Sequence, residues 1–285
     1  MPPLDPPAAD DPRALRPLDQ ARLIAEVVER LRGDGDLHAL LLGGSLGRSA
    51  GDRFSDVDLL AVAEAAAHER LAARWRAVIE AIAPIVYWNE RRGASVLVNA
   101  ITAEWLRCDL SIVAPGRLTG ASKATLRPLI DPAGLFAALP ERLPPRVPDR
   151  DRVERLVREF LRVLGLLPVG VGRGEYVTAA RGAGLLRDML IDLMLELSAE
   201  PHPAGALHLG LRLPPEDMDL LERLPPPRPD RDGAIAANVA AAASFLPRAR
   251  RAARALDFAW HDAFEAATLR HLRTELGIDP DALRG

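Results

Sequence analysis

The chain is short of cysteine, of net charge and of long apolar runs, and each shortage removes a class of protein. Cys108 is the only cysteine among 285 residues, so no intramolecular disulfide can form, and a reducing cytoplasm is the expected setting. No run of about 18 apolar residues occurs, which excludes a membrane-spanning helix. The formal net charge is −3; a general nucleic-acid binder usually carries a strong basic excess. The six histidines show no zinc spacing. The N-terminal MPPLDPPAADDPR is proline-rich and acidic, without the basic and apolar regions of a secretory signal. Residues 1–16 therefore read as a flexible tail.

What is present divides the chain in two. Nearly half of the residues are hydrophobic (48%), enough for packed cores in two domains of ordinary size. The first part mixes periods. A helical spacing from Leu18 to Leu31 ends at Gly33 and Gly35. Short apolar strands are expected at 37–42 and 56–62, a helix at 65–82, and a hairpin from 85–88 and 95–98 with Arg91-Arg92-Gly93 as its loop. Further strands are expected at 105–113 and 126–130. Residues 141–149 are proline-rich and read as a linker between a domain at 17–140 and a second at 150–285. The second domain looks helical, with long periodic segments at 153–167, 175–198, 235–246 and 249–276, the last two broken near Pro247. No internal repeat is visible.

One constellation carries chemistry. Gly43-Gly44-Ser45 follows an apolar strand, and Asp56-Val57-Asp58 opens the next one ten residues later. The glycines let the backbone turn sharply and approach a ligand closely. Ser45 can cap the short helix that follows, and the free N–H groups of a helix start attract anions. Arg48 can add a charged contact. Asp56 and Asp58 are two apart on a strand and share a face. Two carboxylates about 5 Å apart repel by roughly 3 kcal/mol at an effective dielectric near 20, so a divalent cation is the economical explanation. Magnesium suits a few carboxylates with phosphate and water. Asp109 is the third candidate, since it shares the polar face of its strand with Arg107 and Ser111 while Leu106, Cys108, Leu110 and Ile112 share the other. It can bind a second metal or act as general base.

These residues resemble the nucleotidyltransferase superfamily typified by DNA polymerase beta. Gly43-Gly44-Ser45-Leu46-Gly47-Arg48-Ser49 with Ser55-Asp56-Val57-Asp58-Leu59 is similar in particular to the small bacterial aminoglycoside and lincosamide nucleotidyltransferases. The match is specific over 37–62, looser over 105–113, and architectural over 150–285. The resemblance implies an α+β fold: a mixed sheet with flanking helices, then a helical bundle that helps bind the acceptor. It implies that Asp56, Asp58 and Asp109 hold Mg2+, and that Gly43, Gly44, Ser45, Arg48 and Ser55 bind a nucleoside triphosphate, with ATP the expected one. The general base is Asp109 or, as in some relatives, a helical-domain glutamate, here Glu175. The implied reaction transfers a nucleoside monophosphate to a small-molecule hydroxyl and releases pyrophosphate.

The acceptor is expected between the domains. Asp188, Asp192 and Glu196 recur at helical spacing and form either a solvated stripe or an attractor for a polycationic drug, with Arg181 and Arg187 near enough to soften their repulsion. The arginines at 248, 250, 251 and 254 read as a solvated face. Two alternatives stay open: a protein or RNA acceptor, and a non-catalytic partner in a toxin–antitoxin pair. Nucleic acid and membrane are not expected as partners, and a homodimer stays open.

Overall fold

A computed structural model describes residues 20–118, 120–198 and 209–283. The chain divides into two units at Pro144/Pro145. The flexible-tail expectation for 1–16, and His202 and His208, lie outside the described residues.

The first unit is α+β. In chain order it contains α1 (Gln20–Leu31), β1 (Ala39–Leu42), α2 (Gly44–Gly47), β2 (Val57–Val62), α3 (His68–Ile82), β3 (Ile85–Arg92), β4 (Val96–Thr102), β5 (Arg107–Val113) and β6 (Arg127–Ile130). The strands form one mixed sheet in the order β3-β4-β5-β2-β1-β6. β2 and β5 run parallel; every other pair is antiparallel. The alternation in VLVNAIT and RCDLSIV buries Val96, Val98, Ala100, Cys108, Leu110 and Ile112 on one face. The apolar stripes of α1 (Leu23, Val27) and α3 (Leu71, Trp75, Ile79) close that face into a core. The opposite face has its own small cluster around Leu41, Val62 and Leu126. Elsewhere that face is polar, because Asn99, Asp58, Arg107 and Asp109 fall at the alternate positions.

Several boundaries differ from those expected. The hairpin strands run through Arg91 and Arg92, because Arg92 sits opposite Val96 and bonds Glu69 and Glu90. Trp105 is not in a strand; it occupies a turn at φ 63°, and its N–H bonds the Thr102 carbonyl. Asp56 precedes β2 by one residue.

The second unit is helical: α4 (Arg150–Leu164), α5 (Leu167–Gly172), α6 (Tyr176–Leu197), α7 (Pro215–Arg223), α8 (Arg231–Ala255) and α9 (Asp262–Leu276). Asp149 and Asp230 cap α4 and α8 by accepting from the Arg152 and Gly233 N–H groups. At the centre Phe160 stacks on Phe245 with ring centroids 3.8 Å apart. The expected break at Pro247 is absent. α8 runs through it, because Ala241, Ala242, Phe245, Leu246, Ala249, Ala252 and Ala253 bury one continuous face across the proline. That packing outweighs the roughly 3 kcal/mol a proline costs in a helix interior. The break comes instead after Ala255, where Asp257 takes φ 54°.

Two charge readings also change. Glu196 is 1% exposed and bound to Arg146 and Arg152, so it does not extend an acidic stripe with Asp188 and Asp192. Arg187 donates to the Leu221 carbonyl and does not offset those acids. In the arginine run, Arg248 pairs with Asp217 and Arg250 with Glu265, so the run is partly structural.

Candidate metal and nucleotide site

The parallel pairing of β2 with β5 sets Asp58 opposite Asp109 and Val57 opposite Cys108. Asp56, one step before β2, joins them. A carboxylate oxygen from each of Asp56, Asp58 and Asp109 lies within 4.8 Å of the others, and all three residues are half-buried. Among the described residues this is the one group of three such side chains so placed.

Within the protein this charge is only partly offset. The Asp58 carboxyl is pushed up to about 6, first by burial and then by the charges of Asp56 and Asp109; Arg107 and Arg48 pull it back only in part. Asp109 is raised for the same leading reason, burial, against a hydrogen bond from Asn99. The donor set is all hard oxygen and carries surplus negative charge, which fits magnesium and disfavours a soft metal.

Gly44 forms the wall beside the acids. It has φ +59°, and a Cβ there would sit 1.8 Å from Asp58 Oδ2. Only glycine allows the turn and the carboxylate to occupy neighbouring space. Gly43 is less constrained, since a Cβ would come no closer than 3.4 Å to Leu126. Its N–H bonds the Asp58 carbonyl at 2.8 Å, which ties the turn to β2. α2 follows at once, and the first N–H groups of a helix have no partner within it.

Ser45 does not cap α2. Gly43 holds the cap position of α2, without a side-chain bond. Ser45 is buried, and its hydroxyl donates to Ser55 Oγ at 2.8 Å. Ser55 Oγ in turn accepts from the Asp52 N–H at 2.9 Å. The two serines thus staple the glycine turn to the residue before Asp56. Arg48 ends α2 and is half-buried. Glu175 belongs to the helical unit, where it is exposed and precedes α6 without capping it.

Three residues here escaped the sequence reading as site members. Arg107 Nη1 lies 3.4 Å from Asp56 Oδ2, and its Nη2 donates to the Phe54 carbonyl at 3.1 Å. Asn99 Nδ2 donates to Asp109 Oδ2 at 2.7 Å; it was findable as the polar residue in the middle of VLVNAIT. Gln20 is 3% exposed. Its side-chain Nε2 donates to the carbonyls of Ser55 at 2.7 Å and of Asp52 and Arg53 at 3.3 Å. It clamps the loop between turn and acids, and nothing local in the sequence signals that.

No protein-family model matches the chain, and no curated protein is similar to it in sequence. Among solved structures it is similar to an aminoglycoside 6-adenyltransferase from Bacillus subtilis, at 11% identity and a TM-score of 0.40, covering 89% of this chain and 96% of that one. It is also similar to a nucleotidyltransferase-like protein from Exiguobacterium sibiricum, at 15% identity and a TM-score of 0.33, covering 88% of each. These are likenesses of chain trace at low identity, and the chemistry rests on the chain's own carboxylates and glycine turn.

Proposed function

We propose that the protein is a nucleotidyltransferase that moves a nucleoside monophosphate from a nucleoside triphosphate to a hydroxyl of a small molecule. The observation that carries this reading is the clustered group Asp56, Asp58 and Asp109, only partly offset by arginine, with Asp58 set directly against Gly44. Those three carboxylates would hold Mg2+, which when bound supplies positive charge against the triphosphate and the attacking oxygen.

The chain's own residues do the rest. The N–H groups opening α2, with Arg48, bind the phosphate tail. The Ser45–Ser55 hydrogen bond and the Gln20 clamp keep that cradle in register with the acids. In the reaction the acceptor oxygen forms a bond to the α-phosphorus, the bond to the bridging oxygen breaks, and pyrophosphate leaves. The acceptor proton passes to Asp109. Burial raises the proton affinity of that carboxylate above that of a solvated one, and Asn99 holds its other side. Glu175 is the alternative base, and an Asp109→Asn variant with retained activity would favour it. Most of the rate comes from positioning and charge stabilisation.

ATP is the proposed donor. An aminoglycoside or lincosamide is the proposed acceptor, by the sequence resemblance over residues 37–62, which would make the protein an antibiotic-resistance enzyme of the cytoplasm. Purified protein with Mg2+ and each nucleoside triphosphate should release pyrophosphate only when a suitable acceptor is added. Label transferred to protein or RNA would support the macromolecular alternative. Nucleotide binding without turnover across the acceptor panel would reject catalysis.

A further inference from the structure

The helical unit contains a cavity lined wholly by its own residues. Its volume is about 340 Å³, within the range of small-molecule sites. It is walled by the end of α4, by α5 and by the first half of α6, with Asn238 of α8 contributing. Most of the lining is apolar. Leu166, Val169 and Leu185 remain 50%, 40% and 52% exposed, far more than aliphatic side chains with a packing partner.

Asn238 breaks the apolar pattern. It is 1% exposed and sits in an alanine-rich helix. Its Nδ2 donates to the carbonyls of Ala234 at 2.8 Å and Ala179 at 3.2 Å. Two carbonyls on one end fix which end carries the nitrogen, so Oδ1 points the other way. Oδ1 is the atom that a Cβ on Gly182 would meet, at 3.9 Å, and Gly182 lines the cavity. Among the described residues nothing donates to Oδ1. Oδ1 therefore faces the cavity as a free acceptor, and a ligand N–H or O–H can bond it there in place of water.

The rim supplies a second requirement. Arg162 is held by Glu159 at 2.6 and 2.7 Å. Arg173 and Arg181 also line the cavity and have no acidic partner among the described residues. Glu175 is the only carboxylate on the lining, so positive charge is in excess. We propose that this cavity binds a small acid with an apolar body, its N–H or O–H meeting Asn238 and its anionic group meeting Arg173 and Arg181.

Calorimetry on the full chain tests this with three probes of one size. Indole-3-acetate has the apolar ring, the N–H and the carboxylate. Naphthalene-1-acetate lacks the N–H, and tryptamine reverses the charge. Indole-3-acetate should bind with one-to-one stoichiometry, about 10-fold more tightly than naphthalene-1-acetate, and tryptamine should not bind. Gly182→Leu should abolish binding by filling the space beside Asn238. It should keep or raise the thermal midpoint, because leucine is the better helix former. Asp58→Asn should leave the affinity unchanged, which separates this site from the acids of the sheet. The proposal is overturned if none of the three binds, if tryptamine binds as well as the acids, if the two acids bind equally, or if Gly182→Leu leaves the affinity intact. Loss of binding in Asp58→Asn would overturn it too.

Discussion

In the helical unit, Glu196 is almost fully buried, yet it meets Arg146 at 2.6 Å, Arg152 at 3.3 Å and the Asp149 N–H at 2.8 Å. In the sheet unit three carboxylates crowd within 4.8 Å; Arg107 lies 3.4 Å from Asp56, and it and Arg48 offset the Asp58 charge only in part. Glu265 repeats the first pattern, with Arg250 and the Trp260 indole N–H both on its Oε2. A buried acid matched by arginines holds a structure together. Acids held near one another without a matching cation keep their charge for something that binds. The difference in partners, more than in burial, separates the two roles.

The contrast is broken most directly at Asp58. Asp58→Asn should lower turnover by about 1,000-fold, the loss expected when several kcal/mol of charge stabilisation disappear. The same change removes repulsion, so without magnesium the sheet unit should melt roughly 2–4 °C higher, the shift that about 1 kcal/mol gives after allowance for solvent screening. A drop in both activity and melting temperature would place Asp58 among the structural acids.

The glycine pair sharpens the same point. Gly44→Ala drives a methyl into Asp58 at a positive φ and should cost about 100-fold or more in turnover. Gly43→Ala, with 3.4 Å of clearance, should stay within about 3-fold. Kinetics on both proteins, with circular dichroism to confirm folding, decide it; equal losses would show that the turn does not need that close approach.

The structural acid should respond in the opposite way. Glu196→Gln should cost about 1–3 kcal/mol of stability by weakening the arginine pairs. Turnover per folded molecule should be unchanged. Urea denaturation read alongside activity tests this, and a selective loss of turnover would move Glu196 into the site.

The smallest effect is in pH. The Asp58 carboxyl has a folded value near 6 against an ordinary 3.8, so folding favours its protonated form. Its penalty is absent below the ordinary value, grows as pH rises towards 6 and is constant above. The stability of the wild type relative to Asp58→Asn should therefore fall between about pH 4 and pH 6. Saturating Mg2+ should remove that slope. A difference flat across the range would show that neither burial nor the neighbouring acids raise the Asp58 carboxyl.

Much of this site was legible because its signals are local. Glycines before a helix start, two acids two residues apart and an apolar alternation fix which residues share a face. Gln20 and the pairing of Ser45 with Ser55 were not legible, since each depends on a partner 10 to 35 residues away. Pro247 shows the reverse error: the local rule predicts a break, and burial of the alanine face overrules it.

The amino-acid order by itself determined the elements, the glycine turn and the candidate acids, because backbone conformation and strand alternation act over a few residues. Only the tertiary structure decided that β2 lies parallel to β5. That pairing brings Asp109 to Asp58, while the helical unit takes Glu196 out of solvent and gives it two arginines. Charges separated in sequence gain or lose one another only through packing, so whether an acid is spent on the fold or kept for a ligand is settled in three dimensions.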